Sequence, residues 1–109
     1  MINYQIRITP DAENDLLQLD DYISNVLLVP DIALQYVGEI RQAIERLSFF
    51  PRKVRLIKEE PWHSRGIRRC PVNNFYIYFV IHEAEHQVII LNVIYAKRDL
   101  LKSLTHLPN

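Results

Sequence analysis

Residues 74–99 hold the clearest pattern in the chain: two apolar runs, 75–82 and 87–95, joined by a polar turn and leading into the charged exit Lys97-Arg98-Asp99. This predicts a long β-hairpin. Phe75, Ile77, Phe79 and Ile81 would share one face, and Tyr76, Tyr78, Val80 and His82 the other. Neither row is plainly a water face, although an antiparallel pair in a small protein normally has one. Something is therefore expected to cover the second row, either the chain's own C-terminal segment or a partner.

The rest of the chain alternates between the two periods. Ile2, Tyr4, Ile6 and Ile8 alternate with polar residues and predict a half-buried strand. Thr9-Pro10-Asp11 opens a helix: a hydroxyl at the N-cap, proline in the first turn, and Asp11, Glu13 and Asp15 near the positive end of the dipole. Ala12, Leu16, Leu19, Ile23 and Val26 form its apolar stripe, widened by Leu17 and Leu27. Pro30 breaks that run and Asp31 restarts a helix, with Ala33, Tyr36, Val37, Ile40, Ile44 and Leu47 as its stripe and Pro51 beyond its end. Two helices with a short connection read as an antiparallel hairpin. Residues 52–65 are irregular. Residues 66–72 suit a short strand, which Pro71 confines to an edge or to its end. Leu100, Leu101 and Leu104 suit one side of a short terminal helix over 99–107. The expected class is α+β, one domain over residues 1–109 in the order β-α-α-β-β-β. An N-terminal strand and a helical hairpin precede a three-stranded antiparallel meander, all in one sheet packed on the helices.

Composition narrows the setting. The chain has 109 residues, 49% hydrophobic and 24% charged, with two glycines and six prolines, which fits one ordered domain without linkers. No run of 18 apolar residues suggests a membrane span, and the first residues lack an export signal, so a cytoplasmic protein is expected. Cys70 is the only cysteine, so no internal disulfide can form; a buried structural thiol is the simpler reading. His63, His82, His86 and His106 show no metal-ligand spacing with carboxylates or thiolates, and two glycines cannot build a phosphate cradle. Neither a metal nor a cofactor is expected.

Zero net charge hides an asymmetry. Residues 1–48 carry eight acidic side chains against Arg7, Arg41 and Arg46. Residues 52–69 carry Arg52, Lys53, Arg55, Lys58, Arg65, Arg68 and Arg69 against only Glu59 and Glu60. A short basic section suits a localised protein or phosphate contact better than a broad surface over many phosphates.

The ordered set of elements carries specific residues. Thr9-Pro10-Asp11-Ala12 and Asp15-Leu16 follow the first strand. Pro30-Asp31 to Ala33 opens the second helix, and Leu47 and Pro51 close it. Gly66-Ile67-Arg68, Phe75-Tyr76-Ile77-Tyr78-Phe79 and Val93-Ile94-Tyr95-Ala96-Lys97-Arg98-Asp99 follow. Over nearly its whole length the chain resembles the bacterial ParE/RelE toxin superfamily of type II toxin–antitoxin modules. The resemblance implies a small cytosolic toxin that inhibits growth until a cognate antitoxin wraps its sheet and helices. That antitoxin would account for the second apolar row, with Tyr76, Tyr78, Val80 and Tyr95 as its seat.

The superfamily divides by mechanism. RelE-like members resemble ribosome-dependent mRNA endonucleases, in which a 2′-hydroxyl attacks the adjacent phosphate; this needs a proton acceptor, a donor to the leaving oxygen and cations on the phosphorane. ParE-like members resemble inhibitors of DNA gyrase and are not enzymes. Arg98 falls where the RNA-cutting type has a catalytic arginine, but Leu104 stands near its tyrosine and Phe75 near its second arginine. If the chain cuts RNA, Arg68, Arg98 and His63 are the candidates; a plain ion pair or a solvated ring explains each as simply. Arg65, Arg68, Arg69, Lys97 and Arg98 are the expected target contacts. Arg68 and Arg69 must point to opposite faces, and Arg68 is favoured. Trp62 either stacks on a base or packs its loop onto the core. The preferred reading is a ParE-like toxin. The alternatives are the mRNA endonuclease and a non-toxic module member that only binds an antitoxin.

Overall fold

In the computed structural model, which describes residues 3–96, the elements are β1 (Gln5–Ile8), α1 (Pro10–Asp21), α2 (Pro30–Arg46), β2 (Arg68–Val72), β3 (Phe75–His82) and β4 (Gln87–Tyr95). The α+β class and the β-α-α-β-β-β order are as predicted. The expected terminal helix over 99–107 lies outside the described residues.

The strands form one mixed sheet in the order β1-β4-β3-β2, with β1 parallel to β4 and the other pairs antiparallel. Pro71 sits in β2, an edge strand, where its missing donor is tolerated. β1 stops opposite Ile90, so the edge of β4 beyond that point has no strand partner. The start of α1 takes its place. Thr9 donates its N–H to the Ile90 carbonyl at 3.1 Å, and its hydroxyl lies 2.8 Å from the same oxygen and 3.1 Å from the Leu91 carbonyl. Further along α1, Asp15 Oδ2 accepts the Val93 N–H at 2.9 Å and the Asn92 amide at 3.1 Å. This clamp lies beside a bulge, where the β3–β4 register slips between Tyr78 and Phe79. Thr9 Oγ1 also caps α1 by accepting the Ala12 N–H at 3.2 Å.

Pro30 is the first residue of α2 rather than a break before it, because the first turn has no use for a backbone donor. Between the helices the chain makes a π-helical turn, Tyr22–Val26, and passes through Leu28 at φ 59°. Asp15 lies level with Val93, two residues before β4 ends, so the end of α1 and this turn project past the sheet. Val26, Leu27 and Tyr36, predicted in the buried stripes, are therefore exposed, and Leu28 is 74% exposed.

Both faces of the sheet are covered. Ala12, Leu16, Ile40, Ile44 and Leu47 of the helical layer pack on Ile77, Phe79, Val88, Ile90 and Val93. On the other face, Ile57, Trp62 and Ile67 close over Tyr78, Leu91 and Ile94. The cover expected from the C-terminal segment or a partner is thus supplied in part by the chain's own 57–67 segment. Trp62, 7% exposed, packs its loop onto the core.

Candidate functional site

The sheet face opposite the helices was the expected seat of a partner, and the 57–67 segment divides it. Tyr78 lies at its centre, fully buried. Its hydroxyl makes no well-aligned hydrogen bond among the described residues; Arg69 is the donor that comes near it. Burial pushes the phenol up to about 12, and the nearby Arg69 charge offsets part of that rise. Tyr78 therefore offers nothing to a partner while the segment is in place, which corrects its assignment to an open row. Tyr76 and Val80, at the margin, remain partly open. Tyr95 stands opposite Phe75, with ring centroids 5.4 Å apart, and Phe75 packs toward the helices. It thus belongs to the other face, because the bulge and alternation along β4 carry it there.

The adjacent arginines separate as alternation requires. Arg69, opposite Tyr78, lies over the Tyr76 ring at 4.5 Å from its centroid. Arg68, opposite Phe79, turns to the helical side and donates to the Arg52 and Val54 carbonyls at 3.2 and 2.5 Å. Burial, and then the Arg52 charge, lower the Arg68 pKa from its ordinary value. The favoured Arg68 is thus a brace for the 52–54 turn, and Arg69 is the arginine on the expected partner face. Arg65 is exposed. Lys97 and Arg98 lie outside the described residues.

His63 is also structural in placement. Its Nδ1 lies 2.8 Å from the Ile57 carbonyl, across the base of the loop. Glu60 fastens the same loop by accepting the Ser64 hydroxyl and N–H at 2.6 and 2.7 Å, bonds that hold its carboxyl below the usual range. Burial raises the Cys70 thiol, as fits an inert side chain.

A second cluster sits at the far end of the sheet. Glu83 pairs with Arg52 at 3.0 Å and accepts the Tyr4 hydroxyl at 3.1 Å, and Tyr4 stacks on His86 with centroids 3.9 Å apart. The Arg52 bond, chiefly, keeps the Glu83 carboxyl below its ordinary value. Beside this cluster, Phe49 and Phe50 are 50% and 60% exposed. Sequence reasoning missed them because it treated Pro51 only as a helix stop; two aromatics directly before that proline were the available signal.

Among the described residues no three His, Cys, Asp or Glu side chains gather as a metal site. No described helix is long and apolar enough to cross a membrane.

Comparison with known proteins is consistent with this architecture. The profile of the ParE toxin of the type II toxin–antitoxin system parDE matches residues 6–100. No curated protein matches by sequence. Among solved structures, the chain is similar to the chromosomal ParDE system of P. aeruginosa, with 22% identity and a TM-score of 0.71 over 86% of this chain and 97% of that one. It is also similar to the RelBE2 toxin–antitoxin complex of Mycobacterium tuberculosis, with 23% identity and a TM-score of 0.63 over 89% and 97%. Against an E. coli RelE mutant in the free state the identity is 10% and the TM-score 0.64, over 94% and 93%. At these identities the likeness is one of fold.

Proposed function

The chain belongs to the ParE toxin family of type II toxin–antitoxin systems, and from that membership we propose that it is a ParE-like toxin which inhibits DNA gyrase and cuts no RNA. The observation that carries this reading is the filled centre of the sheet face opposite the helices. A nucleolytic site there would need an open surface with mobile cations and a free proton acceptor. Instead Ile57, Trp62 and Ile67 fill the centre of that face, His63 is tied to the Ile57 carbonyl, and Arg68 is held on the other side by the Arg52 and Val54 carbonyls. The basic side chains of residues 52–69 that are not tied to the fold then serve a protein target, with Arg65 and Arg69 among its contacts and Lys97 and Arg98 as further candidates.

A cognate antitoxin neutralises the toxin by covering apolar surface that the fold leaves open. Tyr76 and Val80 on one face, Tyr95 on the other, and the projecting helical tip around Leu27, Leu28 and Ile32 supply it. The solved relatives include toxin–antitoxin complexes, which supports such a partner. The decisive experiment compares supercoiling by purified gyrase with mRNA integrity in a translating extract, each with added protein. Lost supercoiling with intact mRNA is expected. Intact supercoiling with cleaved mRNA would reverse the assignment to the RelE-like reading, and unimpeded growth on induction would leave an antitoxin-binding module only.

A further inference from the structure

Where α2 ends, the backbone does something a phenylalanine resists. Phe50 lies at φ 48° and ψ 53°, the left-handed region, directly before Pro51. A bulky side chain is rare there, and proline further disfavours helical dihedrals in the residue before it. Glycine would take this turn without steric cost. The turn itself is firmly built: the fully buried Pro51 anchors it, the Lys53 N–H bonds the Phe50 carbonyl at 3.1 Å, and the Tyr4 N–H bonds the Ser48 carbonyl at 2.9 Å. The conformation presents two adjacent rings, each at least half exposed, at the rim of an open groove between Tyr4 and Lys53. Neither ring belongs to a core cluster of the described residues.

The charge around the rings selects the partner. Arg52 is neutralised by Glu83, whereas Lys53 has no ion pair among the described residues. Two exposed rings at a turn whose arginine is already paired with a carboxylate make a poor track for a phosphate backbone, which needs a row of free cations. They suit a protein surface with an apolar pocket and an acidic rim, since aromatic anchors beside a cation are what such interfaces bury. The opposite end of the molecule differs in sign: Asp20, Asp21 and Asp31 flank the exposed helical tip. An acidic partner is repelled there and attracted to the 49–53 turn.

We propose that Phe49, Phe50 and Lys53 form the docking knuckle for the toxin's target, a protein presenting an apolar pocket with an acidic rim. This rests on the gyrase reading above, and the test separates the two. The full-length Phe50→Gly, Phe49→Ala, Lys53→Glu and Lys53→Arg variants are compared with wild type in growth arrest on induction and in inhibition of purified gyrase. Phe50→Gly is expected to melt no lower than wild type, because glycine fits the left-handed turn, yet to need at least tenfold more protein for half-inhibition. Phe49→Ala and Lys53→Glu should lose as much, and Lys53→Arg should retain activity. Wild-type growth arrest without any effect on gyrase would refute the gyrase reading alone; loss of arrest in the same three variants would then still support the knuckle. Variants that arrest growth like wild type overturn it. So do variants that keep full arrest but are no longer rescued by the antitoxin, which would make the knuckle the antitoxin's seat. A wild-type chain that arrests nothing overturns both.

Discussion

Replacing Asp15 with alanine should unfasten the helical layer from the sheet. Its Oδ2 is the common acceptor for the Val93 N–H at 2.9 Å and the Asn92 amide at 3.1 Å, on the stretch of β4 that β1 does not reach. Hydrogen bonds to a charged group contribute roughly 1.5–3 kcal/mol each, and an orphaned, partly buried backbone donor costs about as much. The two bonds share one oxygen, so their loss is less than additive, and about 3 kcal/mol is expected for Asp15→Ala. For a domain of this size that corresponds to a fall of roughly 12–20 °C in melting temperature. Asp15→Asn keeps an acceptor for Val93 but loses the charge, and should lose about half as much. Urea unfolding followed by circular dichroism gives both numbers, and hydrogen exchange at Val93 localises the change. Asp15→Ala within about 0.5 kcal/mol of wild type, the range of a neutral surface change, would show that the Asp15 clamp contributes nothing and that apolar packing and the Thr9 bonds seat α1 without it.

Two further predictions concern the sealed face. The Tyr78 phenol, raised by burial from 10 to about 12, must stay neutral in the folded state; its share of stability is intact below pH 10 and is lost as pH rises toward 12, on the order of 3 kcal/mol. Tyr78→Phe removes a buried hydroxyl whose contact with Arg69 falls short of good hydrogen-bond geometry, so stability at pH 7 should hold or rise by about 1 kcal/mol, and the alkaline loss between pH 10 and 12 should shrink; a loss above 2 kcal/mol at pH 7 would show that the Arg69 contact is a full hydrogen bond. Trp62→Ala empties the centre of the second core and should cost about 3–5 kcal/mol; hydrogen exchange should show the Ile57 N–H, bonded to Ile67 at 2.9 Å, losing protection first, and unchanged protection there would mean that the segment holds its place without the indole.

Much of the architecture was legible because it depends on local rules. Thr9-Pro10 marks a helix start by capping and fixed φ wherever it stands, and the alternation in 75–82 demands a strand with two apolar rows. Those rows carried the useful puzzle of a face without water. Its resolution was not legible, because the spacing of Ile57, Trp62 and Ile67 is neither that of a strand nor that of a helix, and they are brought together only when the loop folds over Tyr78. Arg68 and Arg69 show the same division. Alternation required them to part; which one faced the helices depended on the pairing of Arg68 with Phe79. Tyr95 was misplaced because the extra residue at the bulge shifts the row it belongs to.

The sequence by itself determined the elements, their order, the family resemblance, and the concentration of cations in residues 52–69, since propensity, period and charge are properties of neighbouring residues. The tertiary structure alone decided what those elements leave exposed. The exposed tip exists because α1 and the π-helical turn outrun β4. The second core exists because a loop with neither helix nor strand period found apolar partners distant in the chain. The paired rings of Phe49 and Phe50 stand out because the buried Pro51 and the backbone bonds around it hold a left-handed turn that phenylalanine alone would not adopt. Burial and exposure are sums over contacts between residues far apart in sequence, and only the folded chain performs that sum.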